Sequence, residues 1–531
     1  MSNIDQNSVP PRPSTPTHIA HPPLEGMARI VGTIALSAAT FMNVLDTSIA
    51  NVSLPAIAGD LGVSPNQGTW VITSFAVANA IAVPLTGWLA QRIGQVRLFV
   101  ASVVLFVIAS ALCGLAPNMA TLIGFRAMQG FVAGPLIPLS QTLLLASYPK
   151  ALAGLAMAMW AVTTLVAPVM GPLLGGWITD NMSWPWIFYI NVPVGLIAAF
   201  MAWSLYRKRE SVVHNLPIDK VGLTLMVIWI AALQMMLDLG KENDWFHSPL
   251  IVTLGIVALI GLTFFIVWEL TDAHPVVDLT LFGRRNFWAG ALATSVAYGL
   301  FFGNTVLTPL WLQQFMGYTA TNAGMTSAPI GILAIILSPI VGKNITKVDP
   351  RRIATFAFLV FGLVLWMRSN FSTQSDFVSI VIPTIIQGAA MACFFIPLTT
   401  ITLSGLTPDR IAAAAGLSNF TRIMAGAIGT SLFTTLWESR AALHHSQLTE
   451  YINLGSQTAT NTINNMKALG MSSEQALFQI NQVITQQAFT ISADDLYYAS
   501  ALIFLALIPF VWLTRATIGG AGASDAAAGA H

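Results

Sequence analysis

Fourteen runs of about 20 apolar residues, strung along almost the whole chain, leave this sequence very few folds to choose from. They lie near 29–52, 68–90, 97–116, 119–142, 153–176, 185–206, 221–239, 249–270, 287–311, 322–342, 353–370, 377–403, 412–436 and 493–514. At 1.5 Å per residue, each is long enough to cross a hydrocarbon core of about 30 Å as a helix. The runs are continuous rather than alternating, which excludes a membrane β-barrel. Composition points the same way. Of 531 residues, 55% are hydrophobic and 8% charged, against about a quarter charged in soluble domains. Too little charge remains to solvate the surface, so lipid is expected to cover most of it. A net charge of +1 offers no basic field, and no nucleic-acid partner is expected. Cys113 and Cys393 both lie in apolar runs and support neither a disulfide framework nor a zinc cluster. No metal site is expected.

The charges between runs set a direction. Connections after even-numbered runs hold fourteen Lys and Arg, among them Arg92, Arg97, Lys150, Arg207, Arg284, Lys347, Arg352 and Arg410. Connections after odd-numbered runs hold four: Lys241, Arg368, Arg440 and Lys467. The positive-inside rule then places both termini in the cytoplasm of a multi-pass bacterial inner-membrane protein. The halves also echo each other at a separation of roughly 255 to 258 residues. Gly87, Arg92, Gly94 and Arg97 match Gly342, Lys347, Asp349 and Arg352 in spacing, and Gln129-Gly130 matches Gln387-Gly388. The expected fold is an all-α membrane protein of two six-helix bundles, 29–206 and 287–514. Two inserted helices with their linkers fill 207–286, an outer loop spans 437–492, and disordered tails occupy 1–28 and 515–531. Duplicated halves around a midplane site are characteristic of secondary transporters.

Ionisable residues deep in a span cost about 2.5–3.5 kcal/mol each, so they call for a reason. Asp46, Arg126 and Arg422 stand out. Asp46 lies about six residues before the end of its run and Arg126 about seven after the start of its own, which puts them at nearly one depth. Burial favours the neutral acid, while a neighbouring guanidinium favours the carboxylate. A group held between those effects can take a proton in one conformation and release it in another. A static pair that locks two helices is the other reading. Arg422 has no acidic partner at its depth; it either meets an anionic group of a substrate or caps backbone carbonyls. Asn51, Gln129, Gln387, Asn419 and Arg422 are the expected lining of a substrate cavity. Gly171-Pro172 with Gly175-Gly176 makes either a bending element or a seam of close helix packing. Trp184, Trp186 and Tyr189 read as interfacial anchors.

These residues fall into motifs. Leu45-Asp46-Thr47-Ser48-Ile49-Ala50-Asn51-Val52-Ser53-Leu54-Pro55 resembles the first-span signature of the fourteen-span drug/proton antiporters of the major facilitator superfamily. Gly87-Trp88-Leu89-Ala90-Gln91-Arg92-Ile93-Gly94 resembles that superfamily's signature between spans 2 and 3. Arg126-Ala127-Met128-Gln129-Gly130 and Gly171-Pro172-Leu173-Leu174-Gly175-Gly176 are similar to its fourth-span proton-coupling and fifth-span antiporter motifs. Gln91 stands where the loop motif has Asp, and Ala167 where the fifth-span motif has its first Gly. The resemblance runs from about Pro23 onward and is to the multidrug exporters of tripartite Gram-negative pumps. It implies proton coupling at Asp46 and Arg126, a hinge at Gly171, Pro172, Gly175 and Gly176, and a cytoplasmic gate loop at Gly87, Arg92, Gly94 and Arg97. It also implies hydrophobic drug substrates, a periplasmic adaptor and an outer-membrane channel.

The chain has no G-x-x-x-x-G-K-[ST] phosphate loop, which leaves an ion gradient to drive transport, with no cofactor. No hydrolase or metalloenzyme constellation is visible. His444-His445 reads as a pair of solvated loop histidines. Residues 437–492 form the longest connection outside the membrane, with an amphipathic patch at 476–480; they either touch an adaptor or stay a passive loop. Three function classes follow: a proton-coupled exporter, a proton-coupled nutrient importer lacking need of the Gly171-Pro172 element, and a non-transporting scaffold, for which the buried charges would be an unexplained cost.

Overall fold

The computed structural model describes residues 22–515, apart from 150–151, 212, 214–218, 241, 273–274, 346, 407, 451 and 453–455. The expected tails therefore lie almost wholly outside the described residues. Helices account for the fold, and no strand occurs among the described residues. In chain order the long helices are α1 Gly26–Asp60, α2 Trp70–Ile93, α3 Gln95–Gly114, α4 Met119–Ser147, α5 Ala153–Asn181, α6 Trp186–Tyr206, α7 Lys220–Leu239 and α8 Pro249–Thr271. There follow α9 Arg285–Phe315, α10 Ala320–Gly342, α11 Pro350–Arg368, α12 Phe377–Leu403, α13 Pro408–Glu450, α14 Gln457–Ala468 and α15 Ser473–Trp512. Twelve of them are long and apolar enough to cross a membrane. The helices α5 and α13 lie at the expected fifth and thirteenth spans.

Local sequence explains where several helices begin. Asn118 accepts from Thr121 N at 3.0 Å to open α4, and Asp219 accepts from Gly222 N at 2.8 Å to open α7. Ser472 and Gln475 form a reciprocal capping box at the start of α15. Hydroxyls inside the spans bond back to the preceding turn, as Thr294 does to Gly290 O and Thr402 to Leu398 O, both at 2.7 Å. Each such hydroxyl is thereby satisfied within its own helix.

The first six helices pack on one another, as do α9 to α13 with α15, and α7 pairs with α8. The halves meet through α1–α9, α2–α13 and α5–α10. Small residues allow close approach within and between the halves. A Cβ on Gly175 would lie 2.6 Å from Ile49 O in α1, and one on Gly324 would lie 2.1 Å from Pro172 O across the halves. Among the described residues, the hydrogen bonds that join the two bundles lie at the end opposite the start of α1 and the end of α15. Gln313 donates to Val52 O at 2.9 Å, and Thr321 N donates to Asp180 at 2.7 Å.

Residues 437–492 correct the expectation of a loop. They are helical for most of their length: the end of α13, all of α14 and the start of α15. At 43 and 40 residues, α13 and α15 reach about 60–65 Å, roughly twice a hydrocarbon core. Both project beyond the spans. The patch at 476–480 is helical, with Ile480 turned inward and Phe478 63% exposed. His444 is not simply solvated either, since its Nε2 lies 2.8 Å from Asp495, which also pairs with Arg440. Trp184 is buried and donates to Asp60 at 2.7 Å, so it is a packing residue rather than an interfacial anchor.

Candidate functional site

Asp46 and Arg126 do meet. The carboxylate is fully buried in α1, and its Oδ2 accepts from Arg126 Nη1 at 2.5 Å. Its Oδ1 accepts from Gln129 Nε2 at 3.0 Å and from Asn191 Nδ2 at 2.8 Å. Arg126 sits three residues before Gln129 on one face of α4, and Nη1 also donates to Gln129 Oε1 at 2.7 Å. Its Nε donates to Val71 O at 2.9 Å, and the guanidinium lies 4.3 Å from the Phe75 ring centre. Asn191 donates further to Ser110 Oγ at 3.0 Å, and Ser110 donates to Phe188 O at 2.8 Å. Donors from α4 and α6 thus converge on one carboxylate of α1, with α2 and α3 holding those donors in place. Each donor offsets part of the cost of burying the charge, and removing one partner of such a pair costs about 3–5 kcal/mol.

The expected cavity residues divide. Gln129 belongs to the ion-pair network rather than to an open wall. Gln387 is buried too, accepting from Arg368 Nη2 at 2.7 Å beside Thr384, which accepts from the same nitrogen at 3.1 Å. Asn51 is also buried. Only Asn419 and Arg422 of the five are partly exposed. Arg422 stands 5.0 Å from the Tyr298 ring centre and 5.4 Å from that of Phe395, and its Nε is buried without a hydrogen-bond partner. Carbonyl capping through that nitrogen is therefore not what holds Arg422; two aromatic faces are. Tyr298, Phe302 and Phe395 are themselves partly exposed, with Tyr298 and Phe302 ring centres 4.6 Å apart.

The Gly171-Pro172 and Gly175-Gly176 segment is continuous helix packed against α1 and α10. Close packing is what the geometry displays there. In the expected gate loop, Gly94 takes φ +101°, which favours glycine, and a Cβ would strike Glu210. Glu210 caps α3, accepting from Val96 N and Arg97 N, both at 2.9 Å. Arg92 lies 5.9 Å from the Trp88 ring centre, and Gly87 has open space around it.

Sequence reasoning missed Asn191, Glu210 and Arg368. An Asn opening an otherwise apolar span was the available signal for the first. Arg368 was read as a loop charge, but it is 5% exposed. Two further acids near helix ends are also held by donors. Asp238 accepts from Thr73 and Gln234, and Glu269 is buried, accepting from Val277 N at 2.8 Å.

A family model described as Major Facilitator Superfamily matches residues 36–430. The chain belongs to that superfamily. It is 52% identical to the multidrug export protein EmrB of Escherichia coli (strain K12), covering 96% of this chain and 99% of that one. It is also 52% identical to the fatty acid resistance protein FarB of Neisseria gonorrhoeae, covering 93% and 98%. A solved peptide transporter in complex with sulfate matches with a TM-score of 0.62 at 14% identity, over 93% of this chain and 98% of that one. A bacterial homolog of the lysosomal transporter Spinster, inward-facing and occupied, matches at 0.58 and 16%, over 92% and 97%. These solved structures establish the major facilitator fold. The protein is a multi-pass membrane transporter, not an enzyme.

Proposed function

We propose that this transporter is a proton-coupled antiporter that exports hydrophobic or amphipathic toxic compounds by alternating access. The observation that carries the reading is the buried carboxylate of Asp46 with donors from Arg126, Gln129 and Asn191. A charge held by donors on separate helices is sensitive to relative helix movement. When the helices shift, donors leave and a proton takes their place; when they return, the proton is released. EmrB of Escherichia coli is a multidrug export protein, and half-identity over nearly the full length supports the same substrate range here.

Arg422 fits an amphiphile's anionic head, with Tyr298, Phe302 and Phe395 beside its apolar body. Fatty acids, named for the Neisseria relative, have that chemistry. The helical projection of α13, α14 and α15 suits a periplasmic adaptor, which would make this chain the inner-membrane part of a pump reaching an outer-membrane channel, both termini in the cytoplasm. Leu469 and Phe478 there are 82% and 63% exposed, side chains of the type that protein interfaces bury. A photo-crosslinker at Phe478 should capture the adaptor, and one at the buried Ile480 should not.

The test is transport in proteoliposomes. An imposed pH gradient should drive accumulation of a fluorescent amphipathic anion, and an ionophore that collapses the gradient should stop it. Accumulation indifferent to the gradient would refute proton coupling.

A further inference from the structure

We propose that Asp238, on the inserted helix α7, is a latch that holds the two bundles together at the end opposite the start of α1 and the end of α15. The inference goes beyond drug export and depends on no substrate. Asp238 lies one residue from the end of α7, beside α2 of the first bundle and α13 of the second. Its Oδ2 accepts from Thr73 Oγ1 of α2 at 3.0 Å. Its Oδ1 accepts from the Ser431 hydroxyl of α13 and from Gln234 Nε2, the latter at 2.9 Å. Gln234 Nε2 also donates to Ser431 Oγ at 2.5 Å. Thr73, Gln234 and Ser431 are all buried. One carboxylate therefore ties both bundles at once, through an element that belongs to neither.

Its position makes this tie consequential. It lies at the same end as the bonds from Gln313 to Val52 O and from Thr321 N to Asp180, so this end is the closed one. Parting the bundles there separates Thr73 from Ser431, and Asp238 on its single helix cannot follow both. A carboxylate that loses a buried donor without gaining water is disfavoured, so the bonds resist opening. A second tie, from Gln67 to Glu242 at 3.0 Å, joins the segment after α7 to the first bundle in an exposed setting. Water can replace it readily, and it serves as the control.

The experiment measures opening directly. Spin labels at Leu115→Cys and Gln374→Cys, both exposed at that end of the first and second bundles, are placed in a background with Cys113→Ala and Cys393→Ala. Distances are recorded in lipid nanodiscs without substrate or pH gradient, so failure of the export reading leaves the result unaffected. Asp238→Ala should shift the distribution toward longer distances, and Thr73→Val should do so to a lesser degree. Glu242→Gln should leave it unchanged. If Asp238→Ala fails to fold, Thr73→Val carries the test, since it removes one hydroxyl at constant volume. Distributions that match the parent in Thr73→Val and in any folded Asp238→Ala would overturn the latch.

Discussion

The two bundles carry the same scaffold and different chemistry. Asp46, Ser110 and Gln129 in the first stand 258 residues before Asn304, Arg368 and Gln387 in the second. Both glutamines are buried and both accept from an arginine, Gln129 from Arg126 of its own helix and Gln387 from Arg368 of a neighbouring one. The acid is the difference. In the second bundle Asn304 takes its place, donating to Leu300 O and Ser500 rather than holding a charge. A duplicated frame thus keeps its packing while one copy holds a titratable group. The second bundle offers its cation elsewhere, at Arg422 between aromatic rings. Proton handling in one half and substrate recognition in the other is the division this asymmetry suggests.

The sharpest way to break the comparison is to remove the acid and its neutral counterpart in turn. Asp46→Asn should abolish gradient-driven export in proteoliposomes, a loss of at least about 100-fold for a group the coupling requires. Asn304→Ala should keep the coupling and cost about 1–2 kcal/mol, the scale of a buried neutral hydrogen bond. Equal losses of coupling in both variants would end the asymmetry.

The arginines come next. Arg126→Ala strands a buried carboxylate, at about 3–5 kcal/mol, while Arg368→Ala strands only neutral acceptors, at about 1–3 kcal/mol. Thermal unfolding in detergent should rank them in that order. Arg126→Ala should also abolish gradient-driven export, and Arg368→Ala should keep it coupled to the gradient.

A smaller effect belongs to the caps of α3 and α11, which correspond in the repeat. Glu210 caps the first from a distance, while Asp349 caps the second locally and pairs with Arg351 Nη2 at 2.7 Å. The Arg351 hydrogen bonds hold the Asp349 carboxyl below its ordinary value. Its contribution is therefore present above the unfolded pKa, near 3.9, and is lost as pH falls through the lower folded value. Asp349→Asn should cost about 0.5–1 kcal/mol at neutral pH, and the difference from the parent should shrink below about pH 4.

Most of the fold was legible because lipid imposes it. A membrane helix needs an unbroken apolar run, and such runs are visible in sequence without knowledge of their partners. The Asp46–Arg126 pair was legible for a related reason, since direction and rise per residue fix depth. What escaped was whatever depends on the rotation of a helix about its axis. Depth alone could not tell that Gln129 and Gln387 turn toward buried arginines rather than a cavity, or that Arg368 turns inward from the end of its run. The projection of α13 and α15 escaped because its Gln, Asn, Ser and Thr content has the composition of a loop. The capping box at Ser472 and Gln475 was the overlooked helix signal.

The central claim is that Asp46 carries the exchanged proton. Its most direct test is a fluorescent pH readout of lightly buffered, detergent-solubilised protein to which substrate is added. The wild type should release protons on binding, with a pH dependence that follows a single group, and Asp46→Asn should bind the substrate and release none. Undiminished release from folded, substrate-binding Asp46→Asn would contradict the account.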